Sequence, residues 1–149
     1  AVPISLLNLA VFSVDAVYHY EILVGCLLIL WASDTGAYFA GTRFGKTKLF
    51  ERVSPKKSWE GFLGGAFSAI AVAFILSQYF VVLEDWKWLV IAGIIIIAGT
   101  YGDLIESLFK RSIEIKDSGS ILPGHGGFMD RFDGLLLSAP FITAFLKIC

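Results

Sequence analysis

Residues 22–40 read ILVGCLLILWASDTGAYFA, from Ile22 to Ala40. A run this long and this apolar approaches the ~20 residues a helix needs to cross the ~30 Å hydrocarbon core of a bilayer. Its single charge, Asp34, sits toward the C-terminal end. A carboxylate at that depth is costly and marks a candidate functional group, the plainer reading being a hydrated position close to the interface. On a helix Asp34, Ala37, Tyr38 and Gly41 share one stripe, so acid and phenol face the same neighbour. Ser33, Gly36 and Ala40 form a second stripe of small residues, suited to close helix packing.

The rest of the chain supports a membrane reading. Of 149 residues, 56% are hydrophobic and only 17% charged, with a mean hydropathy of +0.74, too apolar for an ordinary soluble domain. A net charge of -1 gives no bias toward nucleic acid. Cys26 and Cys149 lie in apolar surroundings without metal-type spacing, which reads as two small buried hydrophobes. The chain opens on Ala1 with no basic segment ahead of its first apolar run, as expected for the C-terminal part of a longer membrane protein. The expected fold is all-α: a polytopic membrane helix bundle in one membrane-embedded catalytic domain, 1–149. Spans are expected near 22–40, 61–83, 89–109 and 130–149, with a partial apolar segment at 2–14.

Working outward, Asp15 to Glu21 is polar and aromatic, with Tyr18 and Tyr20 suited to headgroup level and His19 beside them as an interfacial side chain. Gly41 to Glu60, GTRFGKTKLFERVSPKKSWE, reads as a polar loop carrying six of the twelve Lys and Arg residues, with a turn at Ser54-Pro55. Such a loop is either a topogenic basic segment or a phosphate-binding one, with Lys as point charges, Arg as a fork and Ser54 and Ser58 as hydroxyl donors. Gly61, Gly64 and Gly65 open the second span and permit close helix approach. Glu84 to Trp88, EDWKW, reads as a short connection with interfacial tryptophans. Ten of the twelve Lys and Arg fall in 43–57 or 110–131, so both basic loops are expected on the cytoplasmic side and Glu84 to Trp88 outside.

Most of the chemistry lies in 102–133, GDLIESLFKRSIEIKDSGSILPGHGGFMDRFD. Asp103, Glu106, Ser107 and Lys110 form one polar stripe at the end of the third span, expected to point into the bundle, with Leu104, Ile105, Leu108 and Phe109 on the other sides. Asp130 and Asp133 repeat the i, i+3 spacing at the start of the last span, where carboxylates suit the positive end of a helix. Two acid pairs on separate helices can converge on a divalent cation. Oxygen donors with no cysteine favour Mg²⁺ over zinc. The alternative is a set of buried salt bridges, and Glu114 reads as solvated. Pro123-Gly124-His125-Gly126-Gly127 can present backbone amides to an anion.

Ser107 to Asp133, SLFKRSIEIKDSGSILPGHGGFMDRFD, resembles the signature of the phosphatidate cytidylyltransferase (CDP-diacylglycerol synthase) family. Trp31 to Tyr38, Gly41 to Lys46 and Ser54 to Gly61 are similar to other motifs of that family, so the resemblance covers roughly Trp31 to Asp133. It implies transfer of a cytidylyl group from CTP to phosphatidic acid, giving CDP-diacylglycerol and pyrophosphate. It further implies Mg²⁺, with room for a second cation, on the cytoplasmic side of a cell membrane. Implied partners are the two substrates and membrane lipids, with no nucleic acid and a homodimer allowed.

On this reading Asp103 and Asp130 ligate metal, with Asp133 and Glu106 as second choices. Lys110, Arg111, Lys116 and Arg131 hold phosphates beside Asp117. His125, Gly126 and Gly127 line a nucleotide pocket that Ser54, Lys56, Lys57 and Ser58 approach from the first polar loop. Asp34 completes or orients the metal shell. Three other readings use a similar inventory: a CTP-dependent lipid kinase, a cytidylyltransferase for another lipid, and an ion- or proton-coupled transporter.

Overall fold

The computed structural model describes residues 19–50, 54–112 and 133–148, with the backbone alone at 50, 54–56, 103, 106, 109–112, 133, 135 and 136. The element order is α1 (Tyr20–Phe44), β1 (Lys48–Phe50), β2 (Ser54–Ser58), α2 (Trp59–Tyr79), α3 (Asp85–Ser112) and α4 (Asp133–Ile148). Over the described residues the chain is the expected helix bundle. Three stretches are long and apolar enough to cross a membrane: Tyr20–Phe44, Trp59–Tyr79 and Asp85–Gly102. The segment 2–14 lies outside the described residues.

Small residues bring α1 and α2 together. A Cβ built on Gly36 would collide with the Ser68 hydroxyl and come within 2.7 Å of the Gly64 carbonyl oxygen. One on Gly64 would overlap the Ala40 methyl, and one on Gly65 would lie 2.8 Å from the Ser33 carbonyl oxygen. Both expected small-residue sets therefore meet at one antiparallel interface. In lipid the solvent is as apolar as the side chains, so association depends on such close van der Waals approach. Further along, Gly25 of α1 leaves room for the Trp88 ring, whose Cη2 would stand 2.5 Å from an added Cβ.

The α3–α4 pair is also antiparallel. Trp86 at the start of α3 meets Phe145 near the end of α4, with ring centroids 5.8 Å apart. At the other end, a Cβ on Gly134 would lie 3.3 Å from the Cα of Gly99. The core linking all four helices contains Ile22, Cys26, Ile29, Ala69, Ala73, Trp88, Ile91, Ile95 and Ile142. Cys26 is fully buried, as a small hydrophobe should be; Cys149 lies outside the described residues.

Three boundary expectations are corrected. The polar loop contains a two-stranded antiparallel hairpin, Lys48 opposite Ser58 and Phe50 opposite Ser54. Ser54-Pro55 thus begins a strand and not a turn, which proline tolerates at a strand's first residues where no ladder N–H is required. The second span ends at Tyr79, short of residue 83. The third helix starts at Asp85: Glu84 accepts from Lys87 N–H through its carbonyl at 2.9 Å and from Trp86 Nε1 through its carboxylate at 2.7 Å. Asp85 to Trp88 is therefore a helical first turn. Trp88, expected at the interface, is fully buried; its indole N–H has no hydrogen-bond partner among the described residues. Trp86 remains exposed.

The α1–α2 contact can be tested against a position with open space. Gly36→Val should lower thermal stability in detergent by about 1–3 kcal/mol, the usual cost of overpacking, because the Gly64 carbonyl it meets is backbone. Gly93→Ala, where an added Cβ meets nothing within 4 Å, should leave the melting temperature unchanged or raise it. Equal melting curves for the two variants would contradict the close-packed interface.

Candidate functional site

At the end of the bundle where α1 and α3 finish and α2 and α4 begin, the helices enclose a cavity of about 480 Å³. Its α1 wall is Ser33, Asp34, Ala37, Tyr38 and Gly41, which contains the whole stripe expected from the i, i+3, i+4, i+7 spacing. Lys57 and Ser58 at the end of β2, then Gly61, Phe62 and Gly65 of α2, form a second wall. Ile95, Ile96, Gly99 and Thr100 of α3, with Gly134 of α4, close it. The volume falls within the range of small-ligand pockets, roughly 300–1,000 Å³.

Asp34 is ten residues before the end of α1, roughly 15 Å along a helix axis. A carboxylate at this depth is tolerable where it lines a polar cavity and costly against acyl chains; Asp34 lines the cavity. Lys57 supplies the opposite charge from the facing hairpin. Ser58 is buried, and its Oγ accepts from Gly61 N–H at 3.1 Å as the N-cap of α2. The cap uses an oxygen lone pair and leaves the hydroxyl proton for donation into the cavity. Thr100 donates to the Ile96 carbonyl at 2.7 Å, which leaves its oxygen as an acceptor.

The acids on α3 and α4 are placed by backbone register. Gly99 lines the cavity, and Asp103 and Glu106 follow it at i+4 and i+7 on the same helix. Tyr101, Ile105 and Leu108 are exposed, and by helical period they fall on the side opposite positions 103, 106 and 110. Ser107 is half-buried; Leu104, expected off the polar stripe, is buried. Asp133 is the first residue of α4 and adjoins Gly134, which packs on Gly99. The two helices that carry the expected acids therefore approach each other at the cavity.

Lys110 and Arg111 lie in the last turn of α3, and Ser54 and Lys56 on β2. Lys116, Asp117, His125, Gly126, Gly127, Asp130 and Arg131 lie outside the described residues. Among the described residues no three His, Cys, Asp or Glu side chains gather into a metal cluster. The donors described at the cavity are oxygens: one carboxylate, a phenol and three hydroxyls. That set suits a hard cation such as Mg²⁺ in kind and suits zinc poorly.

Two features escaped the sequence reading. Gly99 and Gly134 form the close contact that joins the third and fourth helices; a small residue at matching depth on each helix is the only signal, and it does not identify its partner. Glu60 reaches back to the backbone of Thr47, and a carboxylate in the first turn of a helix gives no hint of that.

The family profile described as "Cytidylyltransferase family" matches residues 3–149. The chain is 40% identical over 147 residues to a phosphatidate cytidylyltransferase of Haemophilus influenzae, covering 93% of this chain and 50% of that protein. It is 41% identical over 150 residues to one of Staphylococcus epidermidis, covering 95% and 57%. With one of Staphylococcus aureus it shares 43% over 130 residues, covering 86% and 49%. The chain thus spans about half the length of the curated relatives it matches.

Ser58 offers a local test of the hairpin–helix junction. Ser58→Ala removes the cap and should cost about 1 kcal/mol of stability, whereas Ser58→Asp restores an acceptor and should recover most of it. Equal thermal denaturation of both variants in detergent would contradict the capping role.

Proposed function

The chain belongs to the cytidylyltransferase family, and from that premise we propose that the protein transfers a cytidylyl group from CTP to phosphatidic acid at this cavity. The products are CDP-diacylglycerol and pyrophosphate. A phosphate oxygen of phosphatidic acid attacks the α-phosphorus of CTP, a new P–O bond forms, and the bond from the α-phosphorus to the bridging oxygen of pyrophosphate breaks. The nucleophile is already anionic at neutral pH, so no strong general base is required. The difficulty is bringing two polyanions together, and the protein meets it by positioning and charge.

The observation that carries this reading is a cavity onto which Asp34, Lys57 and Ser58 converge with the α3 and α4 backbones that lead to Asp103 and Asp133. Lys57 neutralises triphosphate charge, and the Ser58 hydroxyl donates to a phosphate oxygen. Lys110, Arg111, Lys116 and Arg131, with Asp117 beside them, complete the phosphate-binding set. His125, Gly126 and Gly127 line the nucleotide pocket, with Ser54 and Lys56 approaching from β2. Asp103 and Asp130 hold Mg²⁺, with Glu106 and Asp133 as further ligands and Asp34 orienting the shell. When bound, the ion offsets negative charge on the triphosphate and on departing pyrophosphate. A second cation and a homodimer are compatible with this arrangement. The protein is an integral membrane protein, and both basic segments face the cytoplasm by the Lys and Arg distribution.

The decisive assay supplies labelled CTP and phosphatidic acid to the full-length protein with and without Mg²⁺. Mg²⁺-dependent CDP-lipid is expected from wild type and its loss from Asp103→Asn and Asp130→Asn; no CDP-lipid from wild type would overturn the reading. Lys57→Ala should raise the KM for CTP by roughly tenfold, the equivalent of about 1.4 kcal/mol. An unchanged KM would remove Lys57 from the nucleotide site.

A further inference from the structure

Thr47 is held on both sides by the first turn of α2. Its backbone N–H donates to both carboxylate oxygens of Glu60, 3.2 Å to Oε1 and 3.3 Å to Oε2. Its carbonyl accepts from the N–H of Trp59 at 3.0 Å. Thr47 immediately precedes β1, whose first residue Lys48 pairs with Ser58, and Ser58 in turn caps α2 through Gly61. Both strands of the hairpin are thereby tied at their base to one helical turn. That turn leads directly into Gly61, Phe62 and Gly65 of the cavity wall, and Lys57, one residue before the cap, lines the same cavity.

Three of the described cations, Lys46, Lys48 and Lys57, flank Glu60 in sequence. The carboxylate satisfies a backbone donor at the point where the chain leaves α1 and enters the hairpin. A two-stranded hairpin is marginal in isolation and needs such an anchor to hold a fixed placement. A lysine side chain carries large rotamer freedom, so its contribution to binding depends on where its backbone is held.

We propose that Glu60 is a positioning residue for the nucleotide: it locks the hairpin base to α2 and so sets the place from which Lys57 meets the triphosphate. The inference rests on CTP being the substrate. Loss of the clamp weakens contacts made in both ground and transition states, which appears in KM more than in kcat.

The test measures CTP kinetics of the full-length protein in membranes, at saturating phosphatidic acid and Mg²⁺, with thermal melting as a check on folding. Glu60→Ala should raise the KM for CTP by roughly tenfold, as expected for loss of a charge-assisted hydrogen bond, with kcat within about twofold. Glu60→Gln, whose amide oxygen still accepts from Thr47, should stay within about threefold of wild type. Glu60→Asp keeps the charge at the helix N-terminus but shortens its reach; it should resemble Glu60→Ala, and it carries the test if the alanine variant does not accumulate. In a Lys57→Ala background, Glu60→Ala should change KM by less than about twofold, because the two residues act through one contact. A fall in kcat at unchanged KM, an Asp variant indistinguishable from wild type, or additive effects in the double variant would each overturn the proposal. An active wild type separates those outcomes from failure of the cytidylyltransferase reading, which absence of CDP-lipid from wild type would signal and with which this proposal would also fall.

Discussion

Everything at the cavity depends on how closely the first two helices approach. Gly36, Gly64, Gly65, Ala40 and Ser33 allow backbone-to-backbone contact along the α1–α2 seam, in a solvent where burying larger side chains would gain little over leaving them in lipid. On the neighbouring stripe of α1, Asp34 and Tyr38 line the cavity that α3 and α4 close, while both keep an exposed face. The same seam places Gly61 beside Gly41, where an added Cβ on Gly61 would stand 3.3 Å from the Gly41 Cα. The hairpin between them contributes Leu49, Lys57 and Ser58 to the cavity lining.

The polar groups follow an end-to-end asymmetry. Arg43, Lys46, Lys48 and Lys57 stand at the end where α1 finishes and α2 begins, while Glu84 and Lys87 pair at the other end, 3.5 Å apart. The core between them is aliphatic, centred on Ile29, Ile91, Ile95 and Ile142 with Trp88 filling the space that Gly25 leaves. Buried hydroxyls, those of Ser77, Ser138 and Thr143, sit among these apolar side chains.

The membrane class, the helix order and the Asp34 stripe were legible in the sequence because each rests on a local regularity: an apolar run of bilayer length, a 3.6-residue period, a small residue every third or fourth position. The hairpin was not, since Lys48 to Phe50 is a short segment with no alternation and Ser54-Pro55 reads as a turn signal. Trp88 misled because tryptophan near a helix end usually marks an interface, and only the glycine across from it, Gly25, shows that it is buried. Lys57 and Ser58 were legible as site residues from composition, yet their route into the cavity depends on the Glu60 clamp and the Ser58 cap, contacts of tertiary origin. The expected site residues between 113 and 132 lie outside the described part of the chain, so their roles rest on the motifs of the sequence.

The central claim is that one cavity, walled by the Asp34 face of α1, the Lys57 end of the hairpin and the Gly99–Gly134 contact, holds the nucleotide. It is tested most directly by an experimentally determined structure of the full-length protein with a non-hydrolysable CTP analogue and Mg²⁺. The account predicts triphosphate density between Lys57 and the facing ends of α3 and α4, within reach of Asp34. A nucleotide seated elsewhere, or an Asp34 face turned to lipid, would contradict it.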